Sequence, residues 1–495
     1  MDTGRPAING PLAQGGLDWF GRARKWIYAQ GFAAALCAVV LCAGALRLYA
    51  LDYQSLWSDE IFSLIVADPA LTFGEFWDRV LTDTHPPIYY LILRLWSSVF
   101  GQSEFAARIP SALFGILSVC AAATLPGSSL SRSARLALPL LIAASPGAVW
   151  YDREARSYAL LLLLSTIITL CLLRLLRVTP SNERQARSAV IMLAAAGLFA
   201  AFTHYFGFLI ATAAFSACFL LTERRYKPII GFFGCIIAVP FVAWAVFHAQ
   251  FTDPRRVAWI GEFQIAATIN WFVFLACGGT PSFMLFAGAA GLLFASGGRC
   301  LAERASPVWA CLLVCLLTLA AAAAISLHTA ILTSRNMIVI LPAVYVIAAE
   351  LTASLVRRWG TIAGAMYLSA QLGLMSQPIT AYYTTPMKEQ WRESAALALD
   401  TPGCEAAAIH VYGDAANYRF YTKSARLQLR LIEIPVGASA DLGNEPVTSC
   451  PILLWMVGVS AWDLDDLLAR FQLSRSSVDI AEFHEAYVIR RKQPG

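Results

Sequence analysis

Charge is what this sequence has little of. Asp, Glu, Lys and Arg make up 14% of its 495 residues, against 58% hydrophobic ones, whereas an ordinary soluble domain carries about 25% charged residues. That shortage excludes a soluble globular enzyme. Also absent is any Cys-x-x-Cys pair among the 12 cysteines, which argues against a zinc or redox site built on cysteine. Most of the cysteines (Cys37, Cys42, Cys171, Cys218, Cys235, Cys311, Cys315) lie inside apolar runs, as small hydrophobes do. No fixed-period repeat and no low-complexity tract occurs. The net charge of +5 is scattered in short basic clusters, so no nucleic-acid partner is needed to account for it. Residues 1–30 are polar and lack a small-residue cleavage motif, so the apolar segment after them is expected to be a retained first span.

What is present is a succession of apolar runs, for example 36–51, 136–150, 157–173 and 337–355. Their length suits transmembrane helices. Basic clusters at Arg22/Arg24/Lys25, Arg132/Arg135, Arg174/Arg177/Arg184/Arg187, Arg224/Arg225/Lys227, Arg299/Arg304 and Arg357/Arg358 should all face the cytoplasm. That requirement places spans near 30–51, 107–127, 136–151, 157–174, 188–204, 206–222, 228–248, 281–297, 305–326, 337–356 and 360–377. The expectation is therefore an all-α polytopic bundle of about eleven spans over 30–377, with residues 1–29 cytoplasmic. Its first outer loop is 52–106, and residues 378–495 lie outside. Two apolar stretches, 86–100 and 264–277, would invert the parity if they crossed. They are read as helices lying on the outer membrane surface.

Beyond 377 the pattern changes. WRESAALAL reads as an amphipathic helix, and AAAIHVY, ARLQLRLIEI, PILLWMVGV and FHEAYVIRR read as strands. A small α/β domain follows, outside the membrane. Cys404 and Cys450 each precede a predicted strand, where a disulfide could join them in an oxidising periplasm; two buried thiols are the alternative.

The polar residues that need explaining gather on the outer face. LWSDEIFS in the first outer loop holds Asp59 and Glu60 among apolar neighbours, where raised and separated pKa values would suit a general base beside a positioning group. Read alone, Ser58-Asp59 is a helix N-cap signal. DTHPPIYY fixes His85 before two prolines, in extended backbone, where an imidazole could bind a phosphate oxygen, a hydroxyl or a metal; a structural role is the alternative. In YDREARSYAL, Arg153 and Arg156 would share a face if 151–158 is helical and could bind a lipid phosphate or pyrophosphate. An Arg–Glu network with Glu154 pinning a tight hairpin is the other reading. His204-Tyr205 falls at an outer turn. Arg335 heads a late span, where snorkelling to headgroups is the bland account. Arg255-Arg256 could also reach a headgroup, while His248 and His328 read as interfacial fillers.

The order LWSDE, HPPIYY with LILRLW, ARIPSALFGILSV and YDREARSYAL resembles the membrane-embedded glycosyltransferases of the GT-C class. It is most similar to bacterial members related to dolichyl-phosphate-mannose–protein mannosyltransferases and to the lipid A aminoarabinose transferase. THYFG, SRNMIVILPAVYVIAA and WRESAALAL fit the same pattern. The resemblance implies a polyprenyl-phosphate sugar donor, an inverting transfer to a lipid, glycan or protein acceptor, and action on the periplasmic face of a bacterial inner membrane among membrane lipids. It implies that Asp59, with Glu60 beside it, activates or positions the acceptor, and that His85 lies near the donor phosphate. Tyr151, Glu154, Arg156 and Tyr158 match a cavity-mouth pattern, and Arg335 an arginine that heads a late span. His204 and Tyr205 join the cavity by position. Arg153 departs from the pattern, and its phosphate role rests on charge alone. Some relatives bind a divalent metal, which Asp59 and His85 could hold, although no spacing compels it. The competing class is a polyprenyl-linked saccharide transporter or polymerase. Such a protein would show Gly/Pro-broken spans in matching halves, and would not need an outer-loop carboxylate pair.

Overall fold

The computed structural model describes residues 12–125, 129–177, 183–252, 265–296, 305–404, 407–422, 430–444 and 448–492. Arg255-Arg256 and the Arg299/Arg304 cluster lie outside them, as do the side chains of Arg22, Arg24 and Lys25.

Each expected span falls on helix. In chain order these are α1 (Leu12–Leu48), α5 (Glu104–Thr124), α6 (Arg132–Ala143) with the short α7 (Pro146–Tyr151), α8 (Tyr158–Leu175), α9 (Glu183–Ala201), α10 (Tyr205–Leu221) and α11 (Lys227–His248), then α13 (Thr280–Ala295), α14 (Ala305–Ser326) and α15 (Leu341–Thr384). The last serves for two expected spans, because the backbone breaks at Gly360 (φ 89), next to the Arg357/Arg358 cluster. A side chain rarely adopts that φ. Among the described residues six helices are long and apolar enough to cross a membrane alone, and a seventh unit is α12 (Ile265–Cys277) joined to α13 across an 81° bend. That bend fits the expectation that 264–277 does not continue as a straight span.

The first outer loop folds into three short helices, α2 (Ser58–Val66), α3 (Phe73–Thr82) and α4 (Ile88–Phe100). Of these, α3 begins on a Thr72–Glu75 capping box that satisfies two otherwise orphan N–H groups. On α4 the faces divide cleanly. Tyr89, Tyr90, Leu93 and Ser97 are buried, while Leu91, Leu95 and Val99, spaced by four, are exposed. An apolar stripe of this kind suits a helix lying on lipid. Arg94, the charge that made 86–100 a poor span, donates to the carbonyls of Asp68 and Leu71 and sits over the Phe76 ring. It staples the loop.

The C-terminal domain is a five-stranded sheet in the order β2-β1-β3-β5-β4. β1 (Ala408–Tyr412) is parallel to both β2 (Arg430–Ile434) and β3 (Ile452–Val457), and β3 pairs antiparallel with β5 (Ala486–Arg491), which closes a hairpin with β4 (Val478–Phe483). Helices α16 (Trp391–Asp400), α17 (Ala415–Thr422) and α18 (Leu464–Arg470) complete it. A disulfide joins Cys404 to Cys450. The domain does not hang free. Trp391, Tyr418 and Trp455 share one hydrophobic cluster with Leu56, Ile61, Leu64, Phe76 and Val80 of the outer loop. Burial of large aromatics of this kind dominates such interfaces, so loop and domain pack as one unit.

Candidate active site

Asp59 and Glu60 are the second and third residues of α2. Successive side chains on a helix diverge by about 100°, and these two enter different surroundings. Trp57 occupies the cap position, so Asp59 is not the N-cap that Ser58-Asp59 suggests.

Glu60 is fully buried. Its Oε1 accepts from Arg108 Nε and from the Ala155 N–H, both at 2.8 Å. Its Oε2 accepts from Arg108 Nη2 at 2.7 Å and from Lys388 Nζ and the Trp57 N–H at 3.4 Å. The rest of the Arg108 guanidinium donates to the carbonyls of Leu51, Gln54 and Ser55. Lys388 also pairs with Glu154 Oε1 at 3.1 Å, which accepts from Trp150 Nε1. Burial alone would raise the Glu60 carboxyl, but Arg108 and Lys388 bring it down to about 2. Burial raises Glu154, and the Glu60 charge adds to that against the pull of Lys388. With both oxygens engaged and no exposure, Glu60 holds the loop rather than meeting a substrate.

Asp59 has a side chain that is 34% exposed. Its Oδ2 accepts from Arg335 Nη1, and Arg156 Nη2 lies 3.8 Å from it. Arg156 also donates to Ser63 Oγ at 3.0 Å and to the Asp59 carbonyl at 3.3 Å. Burial pushes the Asp59 carboxyl up, and Arg156 and Arg335 together outweigh it, leaving the group below its ordinary value. The raised pKa values expected for the pair are thus wrong for both members. The cations responsible arrive from distant sequence and cannot be seen in LWSDEIFS. Arg335, at the head of the 3-10 turn Arg335–Ile340, does not snorkel to headgroups but reaches Asp59.

Next to them stands His85. Its Nδ1 lies 3.1 Å from Asp83 Oδ2, which also accepts from the Tyr90 hydroxyl at 2.6 Å and from the His85 N–H. A carboxylate on one ring nitrogen fixes the imidazole and presents the other. Burial raises the Asp83 carboxyl, yet His85, with Tyr90 and Arg156 behind it, holds it well below the carboxylate range. The rings of His85 and His204 are 5.2 Å apart edge to face, and His204 caps α10 through Nδ1. Burial, then the charges of His85, Arg156 and Arg335, keep His204 well below its ordinary value, so it stays neutral. Tyr158 stacks between Tyr151 and His204 at 5.0 and 5.8 Å. A narrow pocket lined by Ser63, His85, Pro86, Tyr89, Tyr90, Arg156, Ser157 and Thr203 opens between His85 and Arg156.

The turn 152–157 is the hub. It is not a continuous helix, since α7 ends at Tyr151 and α8 begins at Tyr158. Arg153 and Arg156 therefore do not form the expected guanidinium pair. Arg153 is buried and donates to the carbonyls of Leu46, Arg47, Tyr49 and Ala50, closing the C-terminal end of α1, with its guanidinium over Tyr383. Asp152 takes Arg47 Nε at 2.7 Å, both fully buried. A Cβ at Gly115 would stand 2.2 Å from Asp152 Oδ2, so only glycine leaves room for this pair. Tyr205 sits at the rim rather than in the cluster. Its hydroxyl meets His248 Nδ1 at 2.6 Å, while His248 Nε2 lies 3.4 Å from the Val80 carbonyl. His248 is thus a pin between α11 and α3, not a filler. Sequence reasoning missed Arg108, Asp83 and Lys388. Arg108 stands inside ARIPSALFGILSV, where an arginine in an apolar run was the available signal.

Residues 84–247 match the model of the family described as dolichyl-phosphate-mannose-protein mannosyltransferase; Asp59 and Glu60 precede the matched segment. No curated protein is significantly similar. Among solved structures, ArnT from Cupriavidus metallidurans bound to undecaprenyl phosphate has a TM-score of 0.57 at 15% identity, over 93% of this chain and 98% of that one. Its apo form gives 0.59 at 13% identity, over 94% and 98%. The archaeal oligosaccharyltransferase AglB from Archaeoglobus fulgidus, in complex with an inhibitory peptide and a dolichol-phosphate, gives 0.51 at 13%, over 82% of this chain and 64% of that one. The resemblance drawn from the motif order is borne out: the chain has the helical-bundle-plus-sheet fold of ArnT, and residues 84–247 match the mannosyltransferase family model.

Proposed function

We propose that the chain is a glycosyltransferase that moves a sugar from a polyprenyl-phosphate donor to an acceptor hydroxyl, with inversion. Asp59 set between Arg156 and Arg335, beside His85, is the observation that carries this reading. Two guanidiniums against one partly exposed carboxylate make a site for an anion that needs the carboxylate as well. In the reaction the acceptor oxygen bonds to the anomeric carbon and passes its proton to Asp59 Oδ. The bond from anomeric carbon to phosphate oxygen breaks, and its electron pair leaves with the lipid phosphate. Arg156, Arg335 and His85 stabilise the growing negative charge electrostatically. A carboxyl held below its ordinary pKa is ionised at neutral pH, so the acceptor site carries no proton before transfer. The two residues that could share a metal are engaged, Asp59 by Arg335 and His85 by Asp83. Among the described residues no three His, Cys, Asp or Glu side chains gather as ligands. No step here uses a metal ion.

The chain is a multi-pass membrane protein. We place the site and the C-terminal domain on the extracytoplasmic face of a bacterial inner membrane, on the basic clusters and on the Cys404–Cys450 disulfide, a bond suited to an oxidising compartment. Incubation of the purified protein with radiolabelled polyprenyl-phosphate sugars and a panel of lipid, glycan and peptide acceptors tests the reading. Label entering an acceptor, with release of the lipid phosphate, supports it. Movement of intact donor across a vesicle without bond cleavage would replace it with the transporter reading.

A further inference from the structure

Every residue placed around Asp59 so far belongs to the bundle or its outer loop, yet the loop is also gripped from elsewhere. Residues 385–392 run as a strap from the end of α15 to the start of α16, and five of them bind the segment 52–60. The Met387 N–H donates to Gln54 Oε1, whose amide in turn donates to the carbonyls of Tyr382 and Thr385. Lys388 enters the buried cluster between Glu60 and Glu154. Glu389 Oε2 accepts from the N–H and the hydroxyl of Ser58, at 2.8 and 2.5 Å, and from Trp391 Nε1. Arg392 donates to the carbonyls of Asp52 and Tyr53, and its own N–H to Ser55 Oγ.

The Glu389 contact is unusual in kind. Helix α2 has no side-chain cap from its own cap residue. Its first N–H is instead accepted by a carboxylate 331 residues along the chain. A carboxylate there satisfies an orphan donor and suits the positive end of the helix. Asp59 is the next residue, and Glu60, held by Lys388, is the one after. The strap therefore fixes the two positions that flank the Asp59 carboxylate, without touching it.

We propose that this strap is a positioning element of the active site: Glu389, through Ser58, and Lys388, through Glu60, set where α2 presents Asp59. The proposal rests on Asp59 being the base. Because the strap leads directly into the C-terminal domain and Trp391 anchors it in the shared cluster, that domain completes the site instead of being an appendage. A displacement of the base of about 1 Å is enough to lower a rate about 10²-fold, while donor contacts made by His85, Arg156 and Arg335 stay in place.

The test uses the full-length protein in lipid nanodiscs, with Glu389→Ala, Glu389→Gln, Lys388→Met and Lys388→Arg. Expected for Glu389→Ala is a fall in kcat of about 10- to 100-fold with the donor KM within twofold of wild type, and faster amide hydrogen exchange over 58–61 with α8 unchanged. Glu389→Gln, which keeps an oxygen for the Ser58 N–H, recovers most of the rate, and Lys388→Arg outperforms Lys388→Met. Lys388→Met leaves two buried acids with one fewer cation and can fail to fold; Glu389→Ala then decides alone. A folded Glu389→Ala protein with wild-type kcat and wild-type exchange overturns the proposal, as does a fall in rate matched by an equal rise in donor KM. If the wild type transfers no sugar, the functional reading falls, and the exchange measurement still judges the strap.

Discussion

Two charge clusters stand side by side in this molecule, reached by consecutive residues of one helix. Around Glu60 the charges are closed in: Arg108, Lys388 and Glu154 are buried with it, opposite charges are paired, and the arginine is filled out with backbone carbonyls. Around Asp59 the arrangement is partly open and two guanidiniums face one carboxylate. Buried ion pairs contribute little net stability, because desolvation consumes the Coulomb gain, but they punish removal of one partner. The Glu60 cluster thus makes the loop hard to misplace. The Asp59 cluster has positive charge on either side of a carboxylate, the arrangement the proposed transfer needs for its base and leaving phosphate. Adjacent acids of identical local sequence context take opposite duties because of what distant segments bring to them.

The largest break in that contrast is Glu60→Ala, which leaves Arg108 without a carboxylate in a dry site and Lys388 with Glu154 alone. It should cost about 3–5 kcal/mol of stability, read as a lowered thermal unfolding midpoint, against under about 1 kcal/mol for Asp59→Ala. The pH dependence follows the same logic. Glu60 is held at about 2, below its ordinary 4.5. Its stabilisation is fully present above pH 4.5 and is lost as pH falls towards 2. A Glu60→Gln protein should lack that acid limb in its unfolding profile.

Arg156→Ala should slow transfer by about 10²–10³-fold, as loss of one charge-stabilising donor does. It should also move the acid limb of the rate profile upward, since Arg156 is one of the two cations holding Asp59 down. Steady-state rates between pH 4 and 8 check both. Cys450→Ser should lower the unfolding stability of the C-terminal domain by about 2–4 kcal/mol, measured calorimetrically with and without reductant. The smallest effect is at Arg153. Arg153→Gln removes caps from the end of α1 and should cost about 1–3 kcal/mol of stability while the donor KM stays within twofold. A several-fold rise in that KM would restore Arg153 to the phosphate site.

Much of this was legible from residues alone, for reasons that differ by element. Apolar runs and basic clusters located a helix at each expected span, because lipid forces helices to show their length in sequence, although among the described residues only six, or seven with the bent pair, are long and apolar enough to cross. That 86–100 would form a short helix of its own followed from Arg94 and charge parity, and α4 is that helix. The strands β1, β3 and β5 showed as short apolar runs. Only the last part of ARLQLRLIEI is described as strand β2; residues 423–429 lie outside the described residues. Strand β4 was missed, since VDIAEF is half-exposed and lacks such a run. At the site, Asp59, His85, Arg156, Tyr158, His204 and Arg335 do come together. Glu60 and Arg153 join the scaffold instead, and Tyr205 the rim. What stayed hidden were the partners, Arg108 at 48 residues and Lys388 at 328 from Glu60. No local pattern encodes a contact at that range. The pairing of Arg153 with Arg156 was conditional on a helix through 151–158, and the chain turns there instead.

The most direct test is transfer from a radiolabelled polyprenyl-phosphate sugar by Asp59→Asn beside wild type and Glu60→Gln, each verified as folded. Asparagine keeps the shape and a hydrogen-bonding oxygen for Arg335 but cannot take a proton. Loss of turnover by about 10²–10⁴-fold in Asp59→Asn, with donor still bound and Glu60→Gln retaining chemistry in proportion to its folded fraction, is the predicted result. Full turnover by a folded Asp59→Asn protein would contradict the account.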